Sequence, residues 1–94
     1  MNVASINKLT LDETTKLAID SKDDSVLMLI AKSDCDYAKV FVARNRYASN
    51  KTLDILSKSV SRSVREAVLE NPKTLPSTIK RIIKSTSNII MIKC

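Results

Sequence analysis

A repeat of 26 residues constrains the fold of this chain more than any other feature of its sequence. A Lys-Ser pair recurs at positions 32–33, 58–59 and 84–85, with no insertion between the copies. Two apolar positions, three residues apart, precede each pair: Leu27 and Ile30, Leu53 and Leu56, Ile79 and Ile82. Apolar residues at this spacing are typical of the buried face of a short helix. The repeat therefore predicts three equivalent helices.

The segments between these helices repeat as well. Residues 37–45 and 63–71 align at the same period, and both end at Asn. After Gly, Asn best tolerates the left-handed backbone that often ends a helix, so Asn45 and Asn71 predict helix ends. Pro72 prevents the second of these helices from continuing. The sequence thus predicts two helices in each repeat.

Residues that cap helix N-termini precede these predicted helices. Thr10 and Glu13 have the spacing of a capping box, in which each side chain bonds a free amide at the start of a helix. They predict a first, more diverged helix around residues 11–19, with a turn one residue shorter than in the later copies. The later caps that the sequence predicts are Asp23 or Asp24, Asp36, Asn50 and Ser61.

Together these patterns predict one all-α domain spanning residues 1–94. Its architecture is a short α-solenoid of about three 26-residue helix-pair repeats plus a terminal half-repeat, with boundaries at residues 10–33, 34–59, 60–85 and 86–94. The rival is a small helical bundle in which the repeat is coincidental. The register is kept across three copies, and this favours the solenoid.

Composition argues against catalysis. The 94 residues include no Gly, His or Trp, whereas phosphate-binding loops need Gly, and many zinc sites and catalytic dyads need His. Cys35 and Cys94 stand alone, without a CxxC motif. The pairs Asp23/Asp24 and Asp34/Asp36 suit helix caps better than acid–base chemistry. We expect no enzyme, no catalytic residue, no cofactor and no metal.

Part of the repeat resembles a known family. Residues 64–76, Val-Arg-Glu-Ala-Val-Leu-Glu-Asn-Pro-Lys-Thr-Leu-Pro, are similar to the consensus of the leucine-rich repeat variant (LRV) family, and residues 34–39 are similar to the start of such a repeat. The resemblance covers residues 34–85, although Arg46 and Tyr47 interrupt the Asn-Pro step in the middle copy. It implies a right-handed α-superhelix like that of HEAT and armadillo repeats, a scaffold class with no single function.

Charge is divided unevenly along the chain. Residues 1–36 hold four Lys or Arg and seven Asp or Glu, a net charge of −3, whereas residues 37–94 hold twelve and three, a net charge of +9. Such a field steers acidic partners or nucleic acid backbones toward a protein. The predicted partner-binding residues are Lys32, Lys51, Lys58, Lys80, Arg81 and Lys84 on the second helices, and Lys39, Arg62 and Arg65 on the first helices.

We expect an adaptor or regulator that binds an acidic or amphipathic segment of a partner protein. The alternative is binding of a nucleic acid backbone through the basic C-terminal repeats. Tyr37, Phe41 and Tyr47 are the only aromatic residues, and Phe41 occupies a predicted core position. The sequence therefore predicts no surface on which the bases of a single strand could stack.

The remaining predictions concern association and location. The apolar run Ile89, Ile90, Met91 and Ile92 either packs on the last repeat or exposes a patch for self-association. The longest internal apolar run, residues 26–31, is far shorter than the roughly 20 residues that a membrane span needs. We expect a cytoplasmic protein. Its abundance of Lys, Asn and Ile resembles small proteins of AT-rich genomes, among them accessory proteins of lytic phages.

Overall fold

The computed structural model describes the backbone of residues 3–93 and the side chains of residues 3–84. This part of the chain contains helices and turns and no strand. The helices are α1 (Val3–Asn7), α2 (Leu11–Asp20), α3 (Asp24–Ala31), α4 (Asp36–Arg44), α5 (Asn50–Ser57), α6 (Arg62–Glu70) and α7 (Pro76–Lys93). The all-α prediction is confirmed.

Helix positions follow the period of the sequence. α3, α5 and α7 begin 26 residues apart, and so do α4 and α6. α2 begins 25 residues before α4, in agreement with the shorter first turn. α7 continues to Lys93, so the third Lys-Ser pair lies inside a helix. The side chains of the apolar run 89–92 lie outside the described residues.

The capping box before α2 is present as predicted. The Thr10 backbone N–H donates to Glu13 Oε1 at 3.0 Å, and the Glu13 N–H donates to Thr10 Oγ1 at 3.2 Å. Asp23 caps α3, where its carboxylate accepts the Ser25 N–H at 2.9 Å. These bonds satisfy amides that have no partner within the helix.

The caps predicted for the next two helices are each displaced by one residue. α4 begins at Asp36 after Cys35, and α5 begins at Asn50 after Ser49, so Asp36 and Asn50 are first residues and not caps. Ser49 accepts the Thr52 N–H at 3.3 Å. Ser61 holds the predicted cap position before α6, without a capping bond from its side chain.

The helices pack in two rows. α4 lies between α2 and α6, α5 lies between α3 and α7, and α1 packs on α3. Of the six predicted apolar positions, Leu27, Ile30, Leu53, Leu56 and Ile82 are at most 2% exposed and Ile79 is partly buried. The rest of the buried apolar core comprises Ile6, Ala18, Ala31, Ala38, Val42, Ala43, Ala48, Val64, Ala67 and Val68.

The recurring Lys-Ser pair ends α3 and α5. Lys32 and Lys58 are the C-caps of these helices. Ser33 is buried, and its hydroxyl donates to the Ile30 carbonyl oxygen at 2.6 Å and accepts the Cys35 N–H at 3.4 Å. The Ser33 hydroxyl thus bonds backbone groups at the helix end, where the regular hydrogen bonds of the helix stop. The first two copies of the Lys-Ser pair therefore have a role at a helix end, whereas the third lies inside α7.

The asparagines that end α4 and α6 do not act as predicted. Asn45 and Asn71 are extended, with φ of −75° and −78°, and no residue in the described backbone has a positive φ. The helix ends at these residues are confirmed, but the predicted left-handed conformation is wrong. The side chains explain why Asn occurs there.

The buried amides of Asn45 and Asn71 join consecutive helix pairs. Asn45 Nδ2 donates to the carbonyl oxygens of Ala18 and Ser21, each at 2.9 Å. Asn71 Nδ2 donates to those of Ala43 at 2.8 Å and Asn45 at 3.2 Å. These carbonyls lie at the C-terminal ends of α2 and α4, where no backbone N–H of the same helix remains to bond them. The Asn45 carbonyl oxygen also accepts the Ala48 N–H at 3.1 Å, so there the Asn71 amide adds a second donor. The amides of Asn45 and Asn71 therefore bond carbonyl groups at the ends of the preceding helix pair.

Replacing Asn71 with Ala should lower the free energy of unfolding by about 1–3 kcal/mol, because the buried Ala43 carbonyl oxygen loses this donor and the Asn45 carbonyl oxygen loses one of its two donors. Urea unfolding followed by far-UV circular dichroism measures the change. Asn50→Ala is the matched control, since Asn50 is exposed at the start of α5, and should change stability by less than about 0.5 kcal/mol. Equal losses in the two variants would contradict the role of the buried amide.

Candidate functional site

Five of the predicted binding residues form a surface on α5 and α7, here called the basic face. All five side chains are exposed: Lys51, Lys58, Lys80, Arg81 and Lys84. Residues three, four or seven apart lie on one side of a helix. This spacing relates Lys51 to Lys58 on α5 and Lys80 to Lys84 on α7. The packing of α5 on α7 brings the two sets together.

A single carboxylate lies within the basic face. Asp54 Oδ1 is 2.8 Å from Arg81 Nη2, and its Oδ2 is 3.9 Å from Lys58 Nζ. Arg81 Nη1 also donates to Ser57 Oγ at 3.3 Å. Asp54 therefore holds Arg81 against α5, while the basic face keeps four more cations than carboxylates.

Lys32 occupies the equivalent position on α3. It is the exposed C-cap of that helix, as Lys58 is of α5, and α3 packs on α5. A cation at a helix C-terminus interacts favourably with the partial negative charge of the last carbonyl groups. Lys32 and Lys58 thus stabilise the ends of their helices and also expose their charge.

The three cations predicted on the first helices are held by contacts within the chain. Lys39 Nζ lies 3.3 Å from Asp36 Oδ1, and Arg62 Nε lies 2.9 Å from Glu66 Oε1. Arg65 Nη1 donates to the Ser59 carbonyl oxygen at 2.6 Å. Lys39 and Arg65, which are also partly buried, are therefore less available to a partner than the basic face, whereas the Arg62 side chain is 77% exposed.

A second basic surface, which sequence reasoning missed, lies at the turns that follow α4 and α6. A cleft of about 430 Å³ opens there, here called the turn-edge cleft. It is lined by Arg44, Arg46, Tyr47, Asn71, Pro72 and Lys73. A neighbouring cleft of about 380 Å³ shares Arg44, Arg46 and Tyr47 and extends to Asp20 and Lys22. The run Arg44-Asn45-Arg46-Tyr47 is the sequence signal for this surface.

Side-chain oxygens fix the backbone of these turns. Asn45 Oδ1 accepts the Tyr47 N–H at 2.7 Å, and Asn71 Oδ1 accepts the Lys73 N–H at 2.9 Å. Ser21 Oγ accepts the Asp23 N–H at 3.2 Å in the turn after α2. Each turn is an Asx or Ser turn that needs no glycine. Tyr47 and Lys73 are therefore presented from ordered backbone.

Two aromatic rings are exposed, those of Tyr37 and Tyr47. Tyr47 is 41% exposed, and the Arg46 guanidinium carbon lies 5.8 Å from its ring centroid. Tyr37 is 59% exposed and meets the partly buried Phe41 edge to face at 5.4 Å. Tyr47 lies where the two clefts adjoin.

Asp24 links the starts of α3 and α5. Its Oδ1 accepts the Ser49 N–H and the Thr52 hydroxyl, each at 2.8 Å. Burial raises the pKa of Asp24, but the hydrogen bonds from Ser49 and Thr52 and the charge of Lys73 together lower this pKa below its usual value. The ionised carboxylate is therefore favoured in the folded protein.

Comparisons with known proteins assign no family. No protein-family model, curated protein or solved structure matches this chain. Among the described residues, no cluster of three or more His, Cys, Asp or Glu side chains could hold a metal ion. No helix of the described part is both long and apolar enough to cross a membrane.

Replacing Asp24 with Asn should lower the free energy of unfolding by about 1–2 kcal/mol near neutral pH, because the hydrogen bonds lose a charged acceptor. Because the pKa of Asp24 is lower in the folded than in the unfolded state, its charge stabilises the fold at pH values above the unfolded-state pKa of about 3.9. This stabilisation is lost as the pH falls through the folded-state pKa. The difference between parent and variant should therefore shrink in acid. Urea unfolding across this pH range measures it.

Asp12→Asn is the control for this pH dependence, since Asp12 is exposed on α2 and makes no hydrogen bond through its side chain in the described structure. Its stability difference should stay below about 0.5 kcal/mol. A difference for Asp24→Asn that is constant from neutral to acid pH would refute the role of its charge.

Proposed function

We propose that this chain is a non-enzymatic helical-repeat module that binds a partner protein. Nearest-neighbour packing supports this, because α2, α4 and α6 follow one another in one row and α3, α5 and α7 in the other. Such packing is the organisation of an α-solenoid, for which three repeats are about the minimum. We assign the chain to a short, right-handed α-solenoid similar to LRV and HEAT-like repeats.

The ligand we propose is an acidic segment of a partner protein, bound along the basic face. The observation that carries this proposal is the imbalance of five exposed cations around the one carboxylate of Asp54. Lys51, Lys80 and Lys84 make no ion pair with any described residue. Their charge is available to steer and bind carboxylates. Lys32 adds a further exposed cation at the end of α3.

Charge reversal on the basic face tests this function. The probe is a fluorescein-labelled glutamate-rich peptide, and binding is followed by fluorescence anisotropy at about 0.15 M ionic strength, where charges more than about 8 Å apart are largely screened. Lys58→Glu combined with Lys84→Glu should weaken binding at least about tenfold, because two attractive charges become repulsive. Lys8→Glu combined with Lys16→Glu gives the same change in net charge at exposed positions near the N-terminus and should leave the affinity within about twofold.

Each outcome of this experiment is decisive once circular dichroism shows that both variants remain helical. Equal weakening by the two pairs would mean that net charge alone drives binding, and the basic face would lose its assignment. Binding of duplex DNA but not of the peptide would favour the alternative function, an interaction with the nucleic acid backbone. That interaction has a diagnostic linear fall of log affinity with log salt concentration.

A further inference from the structure

The turn-edge cleft combines charge with flat surfaces in a way that the basic face does not. Arg44, Arg46 and Lys73 contribute three cations to its lining, and no carboxylate lines it. Tyr47 and Pro72 contribute an aromatic ring and a flat pyrrolidine ring. The volume of about 430 Å³ falls in the range of sites that hold small organic groups. The lining therefore suits a group that is planar and carries negative charge.

The cations of this cleft are at most partly neutralised within the chain, where the charge of Lys73 acts on the Asp24 carboxylate and lowers its pKa. Arg46 lies over the Tyr47 ring, and its guanidinium has no carboxylate within ion-pair distance in the described structure. Arg44 pairs with Glu70 at 3.6 Å, but both side chains are more than half exposed. Such an exposed pair stabilises by less than about 1 kcal/mol, so a phosphate can replace the carboxylate.

The geometry of the turns also orders the site before any ligand binds. The Asn45 and Asn71 side chains fix the backbone at Tyr47 and Lys73 and also bond the preceding helix pair. Side chains presented from ordered backbone lose less entropy on binding than those on mobile loops. The hydrogen bonds that join the repeats therefore also build the cleft.

We propose that the turn-edge cleft binds single-stranded nucleic acid. One base stacks on the Tyr47 ring, and flanking phosphates contact Arg44, Arg46 and Lys73. Stacking on an aromatic ring next to a cationic groove is the general mode of single-strand binding. An acidic peptide offers the charge without the planar group, and a duplex hides the faces of its bases. This inference concerns a different surface from the basic face and does not rest on the proposed function.

The test measures fluorescence anisotropy with a labelled oligothymidylate of about 12 nucleotides, a length within the usual site sizes. An abasic oligonucleotide of the same length carries the same phosphates without bases. The parent chain should bind the thymidylate about 5- to 100-fold more tightly than the abasic strand, the range expected for one stacked base. Equal affinity for the two strands would overturn the stacking proposal.

Variants of the ring and of the cations separate the two parts of the site. Tyr47→Ala should reduce thymidylate affinity to that for the abasic strand, whereas Tyr47→Phe keeps the ring and should stay within about twofold. Arg46→Gln combined with Lys73→Gln should make the slope of log affinity against log salt shallower by about 1.4, or about 0.7 for each phosphate that the variant no longer neutralises. An unchanged slope would remove these cations from the site.

Intrinsic fluorescence gives a readout that does not depend on folding of the Tyr47→Ala variant. The chain has two tyrosines and no tryptophan, so Tyr37→Phe leaves Tyr47 as the only strong intrinsic fluorophore. Thymidylate should quench that fluorescence on binding, and the abasic strand should not. Binding without quenching would overturn the proposal.

The same variants distinguish this proposal from the proposed function. Lys58→Glu with Lys84→Glu should weaken binding of the glutamate-rich peptide and change thymidylate affinity by less than about threefold. The turns of the cleft precede α5 and α7, whereas Lys58 follows the last residue of α5 and Lys84 lies eight residues after the start of α7. Tyr47→Ala should leave peptide binding unchanged. If the peptide displaces the thymidylate and depends on Tyr47, the turn-edge cleft is a protein-binding site and the nucleic acid proposal is wrong.

Discussion

The structure depends on one interaction, the hydrogen bonds of the buried side-chain amides at the ends of α4 and α6. Asn45 and Asn71 each donate twice to carbonyl oxygens of the preceding helix pair and accept once from their own turn. An unpaired buried carbonyl costs about 1–3 kcal/mol, so the amide stabilises the junction between pairs. Because the same side chain shapes the turn, the packing of the repeats and the geometry of the surface are linked.

This interaction also explains how the chain folds without glycine. A glycine commonly ends a helix because it adopts positive φ at little cost. Here the backbone after α2, α4 and α6 is extended, and Ser21, Asn45 and Asn71 bond the amide two residues ahead instead. The absence of glycine is therefore compatible with tight turns and also restricts the sites that the chain can build.

The cations of the basic C-terminal half have different roles. Arg65 and Lys39 stabilise local structure, Arg81 joins α7 to α5 through Asp54, and others remain exposed and unpaired. Formal charge along the sequence consequently overestimates the charge available to a partner. The two surfaces that keep unpaired cations lie in different places and have different chemistry: the basic face has charge alone, and the turn-edge cleft has charge beside an aromatic ring.

The sequence by itself determined where α2 to α7 begin, their period and most of their buried residues, but it predicted neither α1 nor the extension of α7 to Lys93. These follow from local rules, since the spacing of Leu27 and Ile30 or the capping box at Thr10 depends only on residues within one or two helical turns. It also located the ends at Asn45 and Asn71, but for the wrong reason, because their partners lie 24–28 residues away in the chain. Only the tertiary structure decided which cations are paired and where Tyr47 lies. Those outcomes require helices distant in sequence to pack side by side, and no local spacing encodes which side chains then meet.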